Sequence, residues 1–190
     1  LISRGKVIKN EEGHLVVQVK QKGKTFYIKK YRIKNLFHGI SRVFKRTRAY
    51  NSCLSTLWLN AAGIKTAKIL LFLEKKGFLG TRDSFLVTEG IEGERLDKFL
   101  ESNAGYDVSP NIEAFFKRMN WIRFSHGDTK TSNFFFNDKG LITFDLDSSK
   151  RRLFRFSYKK AISKDKKRIL KSLKKHDHLH SKLSQRLLGN

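Results

Sequence analysis

"SHGDTKTSNFFFNDKGLITFDLD", from Ser125 to Asp147, places His126, Asp128, Asn133 and Asp145 among short runs of Phe, Leu and Ile. Carboxylates are scarce in this chain: 41 Lys and Arg face 17 Asp and Glu, for a formal charge of +24 over 190 residues. Where acids gather beside apolar runs they need a specific reason. "FFF", a turn at "NDKG" and "LITF" predict a small β-hairpin. Such a hairpin folds Asn133 and Asp145 side by side, so that both can point at one oxygen-seeking cation. Asp128 sits one loop away and remains free to accept a proton from a hydroxyl. Lys130, two residues later, can lean a charge onto a transferring phosphoryl group. A metal clamp, a base and a charge stabiliser are the parts that phosphoryl transfer needs.

Upstream of this stretch, "HLVVQVKQ" and "KTFYIKKYRI" are β-branched and aromatic runs around a turn at "KGK", which predicts an antiparallel hairpin. From Val43 to Ala62 the spacing of Leu54, Leu57, Trp58 and Ala61 predicts a helix that stops at Gly63. "AKILLFLEKKG" and "RDSFLVTEGI" read as two further strands. A Gly-punctuated linker at 89–93 follows, then a helix carrying Leu96, Phe99 and Leu100. Another helix after Pro110 sets Ile112, Phe115, Phe116, Met119 and Ile122 on one face. The tail from Tyr158 to Leu188 reads as basic helix with Ile162, Ile169, Leu170 and Leu173 as its stripe. Strands with one helix come first and helices with a hairpin come later, an α+β chain in two lobes: 1–88, a hinge at 89–93, and 94–190.

Charge and composition narrow the partners. No acid occurs between Glu12 and Glu74, and a second basic block from Lys150 to Lys175 is relieved only by Asp165. Such a field attracts nucleic acid, anionic headgroups or a phosphorylated glycolipid. Nucleic acid is disfavoured because no reading motif accompanies the charge. A single cysteine, Cys53, excludes an internal disulfide and fits a reducing compartment. No apolar run approaches the length of a membrane span; "ILLFL" stops at Glu74. The expectation from these features is a soluble or peripheral protein of a reducing compartment.

His126-Gly127-Asp128, Asn133 and the strand-end Asp145 form H-x-D-x-x-x-x-N followed by an Asp, which resembles the catalytic and metal-binding loops of the protein-kinase-like superfamily. More narrowly, "YIKKYR", "RTRAYNSCLSTLWLNAAGIKTAKIL", "FLVTEGIEGERL" and "HGDTKTSNFFF…LITFDLD" are similar to the lipopolysaccharide core (Kdo/heptose) kinases. The resemblance spans roughly Lys24 to Leu173. It implies a compact two-lobed kinase-like fold, with a small N-terminal antiparallel sheet plus helix and a mainly helical second lobe. It also implies ATP and Mg²⁺, a sugar hydroxyl on a lipopolysaccharide core or other glycolipid as acceptor, and a cytoplasmic place, peripheral on the anionic inner face of the inner membrane. Under it, Asp128 and Lys130 are catalytic, and Asn133 and Asp145 hold the metal. Lys29 meets the ATP phosphates, and Glu89 and Ile91 lie near the adenine.

The chain departs from the family pattern in three places. No GxGxxG occurs near the N-terminus, where Gly5 and Gly13 stand alone. The helix after Lys29 carries no acid. The strand-end motif is "DLD", with Asp147 where a glycine usually stands. These departures leave a second expectation open, a catalytically impaired kinase-like module that binds an anionic membrane, glycolipid or nucleic acid. Lys30 competes with Lys29, because neighbours on a strand face opposite sides. His126 is expected to pack and hydrogen-bond the loop rather than act as a base, and the tail "HDHLH" to be a solvated helix end.

Overall fold

The computed structural model describes residues 5–11, 13–32, 46–76 and 82–189. The chain divides into two units, one of residues 1–54 and 67–91 and the other of residues 55–66 and 92–190. The sequence reading had one break, at 89–93; in the structure residues 55–66 also group with the later unit.

The first unit holds β1 (Lys6–Glu11), β2 (His14–Gln21), β3 (Lys24–Tyr31) and the start of the helix α1 (Arg48–Ala61), which from Ser55 onward belongs to the second unit. The short β4 (Lys65–Thr66) is likewise part of the second unit, and β5 (Ile69–Lys76) and β6 (Arg82–Glu89) return to the first. Five of these strands make one antiparallel sheet in the order β1-β2-β3-β6-β5. The alternation in β2 buries Leu15, Val17 and Val19 against Ile28, a half-buried pattern with period two. Lys22 and Gly23 both have positive φ at the β2–β3 turn, the geometry that matches the twist of a two-residue hairpin. β1 escapes a sequence reading because all six residues are exposed and charge interrupts any alternation. A charged edge strand of this kind resists pairing with a second chain. The part of the expected first helix at 43–45 lies outside the described residues, as does the loop at 77–81. The helix ends as its sequence signals, with Gly63 in the left-handed region at φ 72°.

The second unit holds β7 (Glu94–Arg95), α2 (Leu96–Ser102), α3 (Ser109–Trp121) and β8 (Phe124–Ser125). It continues with β9 (Phe134–Asn137), β10 (Gly140–Thr143) and β11 (Lys150–Arg151), then α4 (Arg155–Ser172) and α5 (Asp177–Leu188). The expected hairpin is β9–β10, widened into a four-stranded sheet in the order β4-β10-β9-β7. Two-residue strands show no periodicity, so β4 and β7 leave no trace in sequence. Pro110 sits in the first turn of α3, where its missing N–H costs nothing. Leu96, Leu100, Ile112, Met119, Phe124 and Phe134 are almost wholly buried at the centre of this unit, each contributing about 1.5–3 kcal/mol by burial. The basic tail forms two helices, and α5 adds Leu179, Leu183 and Leu187 to the same core. Lys182 of α5 pairs with Asp107, which also accepts from Ser109 at the start of α3. The hydrogen bond from Lys182, then those from the Ser109 hydroxyl and N–H, hold the Asp107 carboxyl well below the usual carboxylate range. Among the described residues no helix is long and apolar enough to cross a membrane.

Candidate active site

The loop after β8 is built around groups that face inward. His126 is fully buried. Its Nδ1 accepts from the Asp128 N–H at 3.3 Å, so the ring proton lies on Nε2, which donates to Thr143 Oγ1 at 2.8 Å. The imidazole thus ties the loop to β10, as the sequence reading of a structural residue expects. Gly127 follows at φ 88°, and a Cβ there would lie 2.8 Å from the Ser148 carbonyl oxygen. Only glycine permits both that backbone and that approach. Ser149 Oγ closes the same junction by donating to the His126 carbonyl at 2.8 Å.

Asp165 holds this loop from beneath. Its carboxylate accepts from the His126 N–H at 2.8 Å and from the Gly127 N–H at 3.1 Å, and Thr129 Oγ1 donates to its main-chain carbonyl at 2.5 Å. Arg168 lies 3.7 Å from the same carboxylate and also donates to the Gly127 carbonyl. Burial pushes the Asp165 carboxyl up, and the two backbone donors oppose that. Sequence reasoning noted Asp165 only as the lone acid of a basic block. The usable signal was its place on α4: it falls between Ile162 and Ile169 on the buried stripe, where an acid must be paired.

Asn133 closes a 3₁₀ turn over Thr131–Asn133, immediately before β9. Its Nδ2 donates at 2.8 Å to both the main-chain oxygen and Oδ2 of Asp128. With the nitrogen fixed on two acceptors, Oδ1 is the atom left to meet a cation. The Phe144 N–H donates to the Asn133 carbonyl at 3.2 Å, which continues the hairpin one step beyond its last pair, Thr143 with Phe134. Asp145 comes next and so leaves the hairpin at the same end as Asn133. It lies two residues past β10 rather than within it, in the left-handed conformation at φ 61°, ψ 56°. Non-glycine residues held there are strained, and such strain gathers at functional positions. Lys130 Nζ pairs with Asp128 Oδ2 at 3.1 Å, both side chains being substantially exposed. Asp128, Lys130, Asn133 and Asp145 are thus gathered at one end of one hairpin.

Residues 2–188 match the lipopolysaccharide kinase (Kdo/WaaP) family. The chain belongs to that family. Among solved structures, one described as WaaP in complex with acyl carrier protein is similar at a TM-score of 0.70 and 17% identity. It covers 96% of this chain and 79% of that one, a likeness that shows the kinase-like fold. No relative was found among curated proteins. Membership places the chain among the lipopolysaccharide kinases and its chemistry in phosphotransfer.

The nucleotide residues implied by the Kdo/WaaP resemblance lie in the first unit. Lys29 is central in β3, paired with Val16 and Leu86, on the face where Tyr31 and Leu86 pack against Ala49 of α1. Lys30 faces the other way, 3.5 Å from Asp83 and 5.3 Å from the centre of the Phe85 ring. Register therefore puts Lys29, not Lys30, on the helix-bearing side. Glu89 ends β6 in an ion pair with Lys68 at 3.3 Å, and Ile91 is half-buried just beyond it. As the sequence shows, α1 carries no acid.

Among the described residues no group of three or more His, Cys, Asp or Glu side chains could hold a metal ion. The candidate set here is an amide oxygen and a carboxylate. Those hard oxygens suit Mg²⁺, which takes one or two protein ligands and completes its shell with phosphate and water.

His126 gives the site a pH signature. Burial holds its pKa down from 6.5 to about 4, against the pull of Asp145 and Asp128. Between those values the unfolded chain takes up the proton and the folded chain does not. The contribution is therefore present above pH 6.5 and lost as pH falls towards 4. Comparing wild type with His126→Gln cancels other titrating groups, Asp165 included. The stability difference between them should shrink by about 3 kcal/mol from pH 7 to pH 4 in urea titrations.

Proposed function

We propose that the protein transfers a phosphoryl group from ATP to a sugar hydroxyl, of Kdo or heptose, on the lipopolysaccharide inner core, working at the inner face of the inner membrane. The observation that supports this most is the double donation of Asn133 Nδ2 to Asp128. It orients an amide oxygen for a cation and a carboxylate for an alcohol in one stroke. The hydrogen bonds to Asp128 converge on Oδ2, so Oδ1 is the atom to take the acceptor proton. Lys130 stands beside that carboxylate and can turn to the phosphoryl group as charge moves. Asn133 Oδ1 and Asp145 would hold Mg²⁺, which neutralises phosphate charge when bound. Lys29 supplies a further positive charge for the phosphates, with Glu89 and Ile91 near the base. By likeness to the WaaP structure, an acyl carrier protein is also a candidate partner.

Purified protein with labelled ATP, Mg²⁺ and a panel of core-sugar acceptors should incorporate phosphate into Kdo- or heptose-bearing oligosaccharides. Failure with every acceptor would remove the reading. The acid-free α1 favours one other reading, a kinase-shaped module without turnover. Thermal shift separates the two: Mg²⁺-ATP at about 100 times its Kd stabilises a competent site by about 2.7 kcal/mol and leaves a module without a nucleotide site unmoved.

A further inference from the structure

Trp121, Leu153, Phe154 and Phe156 are 75%, 73%, 78% and 80% exposed. One exposed apolar side chain is ordinary; four at this level in neighbouring positions are not. Hydrogen bonds bring them together. β11 pairs with β8, the Arg152 N–H extends that ladder to the Arg123 carbonyl at 2.8 Å, and the Arg123 side chain reaches the Leu153 carbonyl at 3.5 Å. The end of α3, with Trp121, therefore lies beside the segment 153–156 that opens α4.

The surroundings carry one sign of charge. Arg123, Arg151, Arg155, Lys159 and Lys160 are exposed around the patch, and no acid occurs between Asp147 and Asp165. We infer that Trp121, Leu153, Phe154 and Phe156 form a docking patch that inserts at the headgroup level of an anionic bilayer, with the surrounding Arg and Lys on lipid phosphates. Aromatic side chains favour that depth, and basic residues beside them add attraction to an anionic surface. Nucleic acid would use the charge and leave the four apolar side chains in water.

This placement rests on the reading of the acceptor as a membrane-anchored glycolipid, and it adds a distance. α4 begins at the patch, and ten residues later Asp165 grips the His126 and Gly127 N–H groups. At 1.5 Å per residue, Asp165, which holds the catalytic loop, stands about 15 Å along the helix from the patch. That reach suits a hydroxyl on a sugar close to its lipid anchor.

Sedimentation of the full chain with vesicles tests the inference. Wild type should bind vesicles rich in phosphatidylglycerol and not vesicles of phosphatidylcholine alone. The double variant Phe154→Ser/Phe156→Ser should bind the anionic vesicles about a hundredfold more weakly, about tenfold for each ring removed. Its melting temperature should not fall, since both rings lie in solvent and a Ser at position 154 can cap α4, and its activity on lipid-free core oligosaccharide should not change. In Trp58→Phe, Trp121 is the sole tryptophan, and its emission should shift to the blue on anionic vesicles. Equal binding by the double variant, absence of wild-type binding, or an unshifted Trp121 on bound vesicles would overturn the inference. So would loss of acyl carrier protein binding in the double variant with vesicle binding intact, since the patch would then seat a protein. Vesicle binding needs no nucleotide, so failure of transfer to every acceptor would sink the kinase reading and leave the patch standing.

Discussion

Asp128→Asn is expected to lower phosphate transfer by about 10²–10⁴-fold, the usual contribution of a positioned general base. The substitution retains an oxygen that can accept from Asn133 Nδ2 and removes only the capacity to take a proton. Asp128 is partly exposed and its partner Lys130 half-exposed, so that ion pair contributes little to folding. Stability should stay within about 0.5 kcal/mol of wild type. Rates with labelled ATP, read beside a urea titration of the same preparation, check both halves. Near-wild-type turnover would remove Asp128 from the role of base.

Asp165→Ala should behave in the opposite way, losing stability first. Two backbone donors, the buried N–H of His126 and the part-buried N–H of Gly127, would lose their acceptor, each at up to about 1–3 kcal/mol. The cost of burying an ionised carboxyl, visible in its raised pKa, disappears with it and offsets part of that loss. A net loss of about 2–4 kcal/mol is expected. Asp165 touches no reacting atom; it positions the loop that carries Asp128. Where the variant remains folded, kcat should fall while KM for nucleotide stays nearly constant, and Asp165→Asn, which keeps one acceptor oxygen, should recover part of both. A variant that is merely less stable, with kcat unchanged at low temperature, would reduce Asp165 to an ordinary core contact.

Much of the site could be read from residue order because its parts are local. Asp128, Asn133 and Asp145 fall within one hairpin and its approach, so turn chemistry at "NDKG" and the apolar runs on either side were enough to set them at one end. The fold class followed from long periodic elements: β2, β3, α1 and α3 carry their own patterns. What escaped was non-local or too short to be periodic. β4, β7, β8 and β11 are two residues each and exist only through their partners. Lys29 and Lys30 could not be separated until β3 had neighbours on both sides, because only strand register assigns the faces. Asp165 looked like an incidental acid among lysines; the backbone amides that explain its burial lie 38 and 39 residues earlier.

That separation bears on how the protein is made. A ribosome releases the HGD segment well before the carboxylate that latches it, so a nascent chain carries the whole motif yet has nothing to hold it in shape. Competence arrives only when the helix bearing Asp165 has emerged and docked. A message cut short before Asp165 would yield a product that carries the whole motif and lacks the carboxylate that holds it.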